Sequence, residues 1–197
     1  GNSNNFTVNG NLTQTQDTPS NVFATLNSLA LTTRQTLSNG NLTGTSSSWL
    51  SAISTFGVTT GKYYAEVKYV DTTGNIMVGV MDEQDMSSLT SGTGGLGFTT
   101  NSVGYYSSDG NKWIADSSSS YGASYTANDI LGIAVDLDSA TKTVTFYKNG
   151  ASQGAINLPT TGTGTFFIGT STTNNGISAI NFGNGYFGTT AVASAGT

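Results

Sequence analysis

Apolar and polar positions alternate most regularly between Asp129 and Gly154. Leu131, Ile133, Val135 and Leu137 fall on one face of an extended segment, and Ile130, Gly132, Ala134 and Asp136 on the other. A period of two is the mark of a strand. The second face is mostly small, which predicts a large side chain or another backbone lying close against it. After a turn at Asp138–Thr141 the chain returns with Val144, Phe146 and Lys148 on one side and Thr143, Thr145 and Tyr147 on the other. Asn149-Gly150 predicts a second tight turn, because both central residues of a type I′ turn need positive φ.

The same period recurs elsewhere. From Gly61 to Val70, Tyr63, Ala65, Val67 and Tyr69 point one way and Lys62, Tyr64, Glu66 and Lys68 the other; Asp71–Gly74 turns the chain and Ile76–Met81 returns. Further strands are expected at Leu96–Phe98, Val103–Tyr106, Lys112–Ile114, Phe166–Gly169 and Ile177–Phe182, with a flexible loop at Ser117–Ser120. Upstream, Phe6 and Val8 mark a short edge strand and Leu37–Leu42 a strand–turn–strand with Asn39-Gly40 at its tip, while Val22–Leu31 has no clean period. Ser46–Ile53 reads as a loop or short helical turn carrying a buried Trp49. Strands at roughly 8–12-residue spacing, with Gly and Asn between them, predict an all-β sandwich.

Composition narrows the chemistry. The 197 residues fit one domain with tails, and 26 glycines against two prolines make the turns depend on Gly and Asn. Charged residues are 9% of the chain and the net charge is −5, with five lysines and Arg34 forming no basic stripe. Nucleic-acid binding is disfavoured, since phosphate neutralisation needs clustered cations. No apolar run of about 20 residues is present to insert in a membrane. The absence of Cys removes disulfides and thiolate metal sites, and the absence of His removes Ser-His-Asp and Cys-His relays and His-based zinc sites. A hydrolase would have to use Asp/Glu pairs, and the only glutamates are Glu66 and Glu83. No cofactor and no metal is expected. The start at Gly1 and the linker-like stretch from Gly185 to Thr197 are the pattern of a piece of a longer protein.

Tyr105, Tyr106, Trp113, Tyr121 and Tyr125, with Asp109 and Asn111 between them, form the aromatic-rich region and the candidate ligand-binding set. Aromatic faces beside amides and carboxylates suit sugar stacking or a peptide contact. Alternation sends Val103 and Tyr105 to one face and Gly104 and Tyr106 to the other, so half of the set is expected in the core. Gly92-Thr-Gly-Gly-Leu-Gly97 fits G-x-G-x-x-G, but a strand or turn follows it where a dinucleotide site needs a helix, so it reads as a glycine-rich loop. Asp82-Glu-Gln-Asp85 reads as a solvated acidic loop, and Asp136 and Asp138 as caps of their own turn.

Five blocks in order resemble the SPRY domain, the core of B30.2 modules: Gly61–Val67, Ile76–Val80, Ser102–Trp113, Asn128–Asp138 and Thr145–Gly150. The lead-in Asp17–Asn27, Leu37–Thr43 and the closing Ile180-Asn-Phe-Gly183 resemble the version found in structural proteins of tailed bacteriophages, although Asn184–Gly188 departs from the usual continuation. The resemblance implies a bent antiparallel β-sandwich of the concanavalin-like jelly-roll kind over about residues 45–187. It would be preceded by an N-terminal arm (1–44) and followed by a tail (188–197). It implies binding through loops at one end, no catalysis, and a virion location in a fibre, spike or capsid-decoration role. The expected partners are other virion proteins, further copies of the chain and a host surface glycan. A purely structural assembly module is the alternative, with a carboxylate-based glycoside hydrolase behind it.

Overall fold

The computed structural model describes residues 23–30, 35–91, 95–188 and 190–192. Two antiparallel sheets pack face to face. The first has seven strands, in the order β1 (Thr36–Ser38), β2 (Thr43–Ser46), β13 (Gly176–Asn181), β4 (Lys62–Asp71), β9 (Ile130–Asp136), β10 (Thr143–Lys148) and β11 (Ala151–Asn157). The second has six, in the order β3 (Leu50–Ile53), β12 (Phe166–Thr173), β5 (Asn75–Asp82), β6 (Ser102–Tyr106), β7 (Lys112–Ile114) and β8 (Ser117–Ser119). A small hairpin, β14 (Tyr186–Phe187) with β15 (Thr190–Ala191), follows.

The alternation explains the packing. Ala65 and Val67 of β4, Leu131, Ile133 and Val135 of β9, and Val144 and Phe146 of β10 face inward. They meet Ile76, Val78 and Val80 of β5, Val103 and Tyr105 of β6, and Phe166 and Ile168 of β12, with each side chain at most 7% exposed. Both expected turns form: Asn149 and Gly150 sit at φ +49° and +82°, and Asn39 and Gly40 at +52° and +66°.

Several elements differ from the sequence expectation. Leu96–Phe98 is a turn, because Gly97 at φ +87° cannot continue a strand. This turn lies on the outer face of the six-stranded sheet, where Leu96 joins Met81, Ala30 and Met86 in a second apolar cluster. Gly104 makes the approach possible: a Cβ there would stand 2.4 Å from the Leu96 carbonyl oxygen. Ser117–Ser119, expected as a loop, is an edge strand paired with β7. All three residues are exposed, so no apolar alternation announced it. The 185–197 stretch, expected as a linker, contains β14 and β15. Tyr63 shares the face of Ala65, Val67 and Tyr69 by alternation but is 43% exposed, since the alternating burial of β4 begins only at Ala65.

The acidic loop is not solvated throughout. Asp82 is fully buried and accepts from the N–H groups of Gln84, Thr163 and Gly164 and from the Thr163 hydroxyl at 2.7–3.0 Å. Asp85, 6% exposed, accepts from the backbone and side chain of Asn101. These two carboxylates clamp the short 3-10 helix Glu83–Ser91 and the 161–165 loop to the sheet. Asp136 caps its turn as expected, through the N–H groups of Asp138 and Ser139, and Asp138 accepts from Gly61. The boundary expected at residue 44 falls inside β2, which pairs with β13, so the described part of the lead-in completes the sandwich. The expected strand at Phe6–Val8 lies outside the described residues.

Candidate functional site

The structure divides the aromatic set between two sides of one sheet. Tyr105 is fully buried and its hydroxyl donates to the Ala123 carbonyl; burial pushes its phenol up to about 12. Tyr125, 4% exposed, donates to the Tyr105 carbonyl, and burial holds its phenol well above the ordinary range. Tyr121 leans edge-on against Tyr105 and Phe146, with ring centroids 5.3 and 6.0 Å away, and its hydroxyl donates to the Gly154 carbonyl. Tyr105 and Tyr125 therefore belong to the core, with only an edge of Tyr125 reaching a surface pocket, while Tyr121 seals the core's rim.

Tyr106 and Trp113 go the other way. On the outer face of the six-stranded sheet they join two aromatics from separate segments. Tyr106 meets Trp49 edge-on at 5.6 Å, Trp49 lies 6.1 Å from Phe98, and Phe98 stacks on Trp113 at 5.1 Å with an interplanar angle of 21°. All four are half-buried, so each contributes some surface to one continuous aromatic row. The indole Nε1 of Trp113 is buried and meets no acceptor among the described residues. Asp109 and Asn111 close the β6–β7 turn: the Asn111 backbone and side-chain N–H groups donate to the Asp109 carboxylate at 2.9 and 3.0 Å, and the amide also reaches Ser118.

At the end of the sandwich that carries this turn lies a polar pocket of about 390 Å³, lined by none of the four row aromatics but reached by Ser107 and Ser108, which follow Tyr106 in the chain. Its lining includes Thr72, Asn75, Ser107, Ser108, Thr126 and Lys148. The Lys148 ammonium is held by Asp129 at 3.3 Å and by the Ser124 carbonyl. Burial alone would push the Asp129 carboxyl up, but the Thr126 N–H, the Asn149 amide and Lys148 hold it below its ordinary value. The pocket is thus a hydroxyl-rich surface whose one cation is already paired. Among the described residues no cluster of three metal-ligating side chains occurs.

Sequence reasoning found Tyr106 and Trp113 but not Phe98 as their partner, and it read Trp49 as a buried loop residue. The row is assembled from residues 49, 98, 106 and 113, and no local period links them.

The SPRY domain family model matches residues 62–185, spanning both sheets and the β6–β7 region that carries Tyr106 and Trp113. The chain belongs to the SPRY domain family. Among solved structures this SPRY domain is similar to a human SPRY domain, with a TM-score of 0.63 and 20% identity, covering 77% of this chain and 96% of that one. It is also similar to the SPRY domain of human HERC1 (TM-score 0.60, 18% identity, 76% of this chain and 92% of that one). With stonustoxin the TM-score is 0.61 at 17% identity, covering 81% of this chain and 27% of the toxin chain. At these identities the likeness establishes the fold alone. A search of curated proteins gives no match.

Proposed function

We propose that this SPRY domain is a non-catalytic recognition module of a bacteriophage virion protein, in a fibre, spike or capsid-decoration role, and that it contacts a host surface glycan. The observation that carries the binding reading is the half-buried row Tyr106–Trp49–Phe98–Trp113, four aromatic side chains that each leave some surface exposed on one sheet face. Sugar rings present an apolar face to aromatic side chains and hydroxyls to polar ones, and the turn joining the strands of Tyr106 and Trp113 carries Asp109 and Asn111, whose amide reaches the Ser118 hydroxyl. The virion setting is supported by the likeness of the lead-in and of Ile180-Asn-Phe-Gly183 to phage structural proteins, and by an exterior rich in Ser and Thr with few charges. A non-catalytic role agrees with carboxylates engaged in holding turns and loops, as at Asp82, Asp85 and Asp129.

The test is a host-envelope glycan screen with the wild-type chain and with folded Tyr106→Ala and Trp113→Ala variants. Binding is expected, weakened about tenfold or more in each variant, as the loss of a stacked ring implies. Glycan cleavage, or binding indifferent to both substitutions, would overturn the reading.

The assembly alternative draws support from apolar side chains outside the row: Phe23, Leu29 and Phe56 are 38%, 88% and 54% exposed. It predicts a symmetric oligomer that covers these residues, measurable by light scattering and lost on Leu29→Asp and Phe56→Asp substitution.

A further inference from the structure

The solvent face of the seven-stranded sheet carries a second group of aromatics that the reading above does not use. Across β4, β9 and β10 the outward residues form rows set by the strand register. Lys62, Asp136 and Thr143 stand opposite one another, then Tyr64, Ala134 and Thr145, then Glu66, Gly132 and Tyr147. The small residues of β9 form a low floor between taller neighbours. Tyr64 lies across that floor, since a Cβ on Gly132 would stand 2.5 Å from the Tyr64 hydroxyl. The result is a trough of about 360 Å³ with Tyr64 54% exposed, Tyr147 half-buried, and Thr143 and Thr145 along it. It continues past Tyr63 and Tyr64 into an apolar cleft lined by Phe23, Phe56 and Phe182.

The lining selects the ligand. Lys62 and Asp136 pair at 2.9 Å, and each holds the other ionised: Asp136 raises the Lys62 ammonium and Lys62 lowers the Asp136 carboxyl. Next along β4, Glu66 accepts from the Tyr64 hydroxyl, and Lys68 lies one outward position further from the trough. Among the residues lining the trough the one cation is Lys62, already paired, so the trough itself offers nothing to hold phosphate or sulfate, which disfavours nucleic acid and anionic polymers. An extended peptide cannot add to the sheet here, because β4, β9 and β10 are interior strands paired on both sides. The recognition groups left are tyrosine faces, hydroxyls and a fixed neutral ion pair on a shallow floor.

We propose that this trough is a second ligand site, on the sheet opposite the aromatic row, and that it takes a neutral oligosaccharide. Its sugar rings lie against Tyr64 and Tyr147, and their hydroxyls bond to Thr143, Thr145 and the Asp136 carboxylate. The site is independent of the row, and its test is separable from that of the row. Both tryptophans of the chain, Trp49 and Trp113, lie in the row, so indole emission reports the row and not the trough.

The experiment titrates the full chain, isotopically labelled for amide NMR, with linear oligomers of glucose, mannose, galactose and N-acetylglucosamine, and with a sulfated oligosaccharide as the charged probe. A neutral oligomer is expected to shift the amides of Tyr64, Ala134, Thr145 and Tyr147 while indole emission stays constant. Tyr64→Ala is expected to weaken it about tenfold and Tyr64→Phe to retain most of it. Ala134→Leu, which fills the floor, is expected to abolish it in a chain whose spectrum is otherwise unchanged. The proposal is overturned if no neutral probe moves these amides, if the sulfated probe binds more tightly, or if Ala134→Leu leaves the affinity intact. Shifts of the same amides with protein concentration alone would also overturn it, by marking a self-interface.

Discussion

Single residues carry more of this sandwich than their polarity suggests. Asp82 is a buried carboxylate encircled by donors from two loops. Burial alone would push its carboxyl up; the N–H groups of Gln84, Thr163 and Gly164 outweigh that and hold it below the ordinary 3.8. A depressed folded-state value stabilises the protein above the unfolded value, and the contribution is lost as pH falls through the folded one. Asp82→Ala is therefore expected to lower stability at neutral pH by roughly 1–3 kcal/mol, because it removes the one acceptor that ties donors from two loops to the sheet. It should also flatten the decline of stability below about pH 4. Urea melts across pH check both, and a variant as acid-sensitive as wild type would contradict the assignment. Trp113 gives the opposite case. Its Nε1 lacks an acceptor among the described residues while its ring stacks on Phe98. Trp113→Phe keeps an aromatic face and removes the stranded donor, so its cost should stay within about 1 kcal/mol, whereas Trp113→Ala should cost clearly more. Equal losses in thermal melts would show that the indole N–H has a partner after all.

At the scale of elements, turns and close approaches divide cleanly into backbone and packing effects. A side chain at Gly150 would meet nothing within 4 Å, but φ is +82°. Gly150→Ala should thus cost about 1–2 kcal/mol through backbone strain alone, with core spectra unchanged. Gly104 is strained by contact instead: its substitution by Ala would drive Leu96 off the outer face. Gly104→Ala should lower the melting temperature more than Gly150→Ala and alter indole emission, because Phe98 and Trp113 lie on the displaced turn's side. Near-identical melts for the two variants would refute the covering role. These elements also mark how much was legible in advance. The hairpin β9–β10 and the turn that follows it could be read directly, since the inward face of β9 is a strict Leu–Ile–Val alternation and Asn149-Gly150 admits few other turns; β11, exposed at most positions, is not announced by any apolar period. The small outward face of β9 correctly announced a large neighbour, which is Tyr64 lying on Gly132. The 96–98 turn was misread because Leu96 and Phe98 have the spacing of a strand; the φ of Gly97 and the gap above Gly104 are three-dimensional facts. β8 left no signal because Ser117–Ser119 is polar on both faces.

For the whole molecule, the lead-in proves to be part of the sandwich. Leu26 is fully buried against the core, and Gln35, 1% exposed, donates to the carbonyls of Leu50 and Thr170. β2 is pressed so close that a Cβ on Gly44 would overlap the Gln35 side chain. A chain beginning at Gly61, just before the family match, should therefore lose cooperative unfolding or self-associate through the freed edges of β13 and β12, as calorimetry and gel filtration would reveal. A monomer as stable as the full chain would refute this. Sequence by itself determined the class, the family and the inward faces, because period-two burial and positive-φ turns are local properties that survive without coordinates. It also excluded His and Cys chemistry, since those residues are absent. Only the tertiary structure decided which aromatics are surface and which are core. Tyr105 and Tyr106 are neighbours in sequence, yet a strand sends one into the sandwich and the other toward Trp49 and Phe98, residues whose proximity arises solely from how the sheets and their covering loops close.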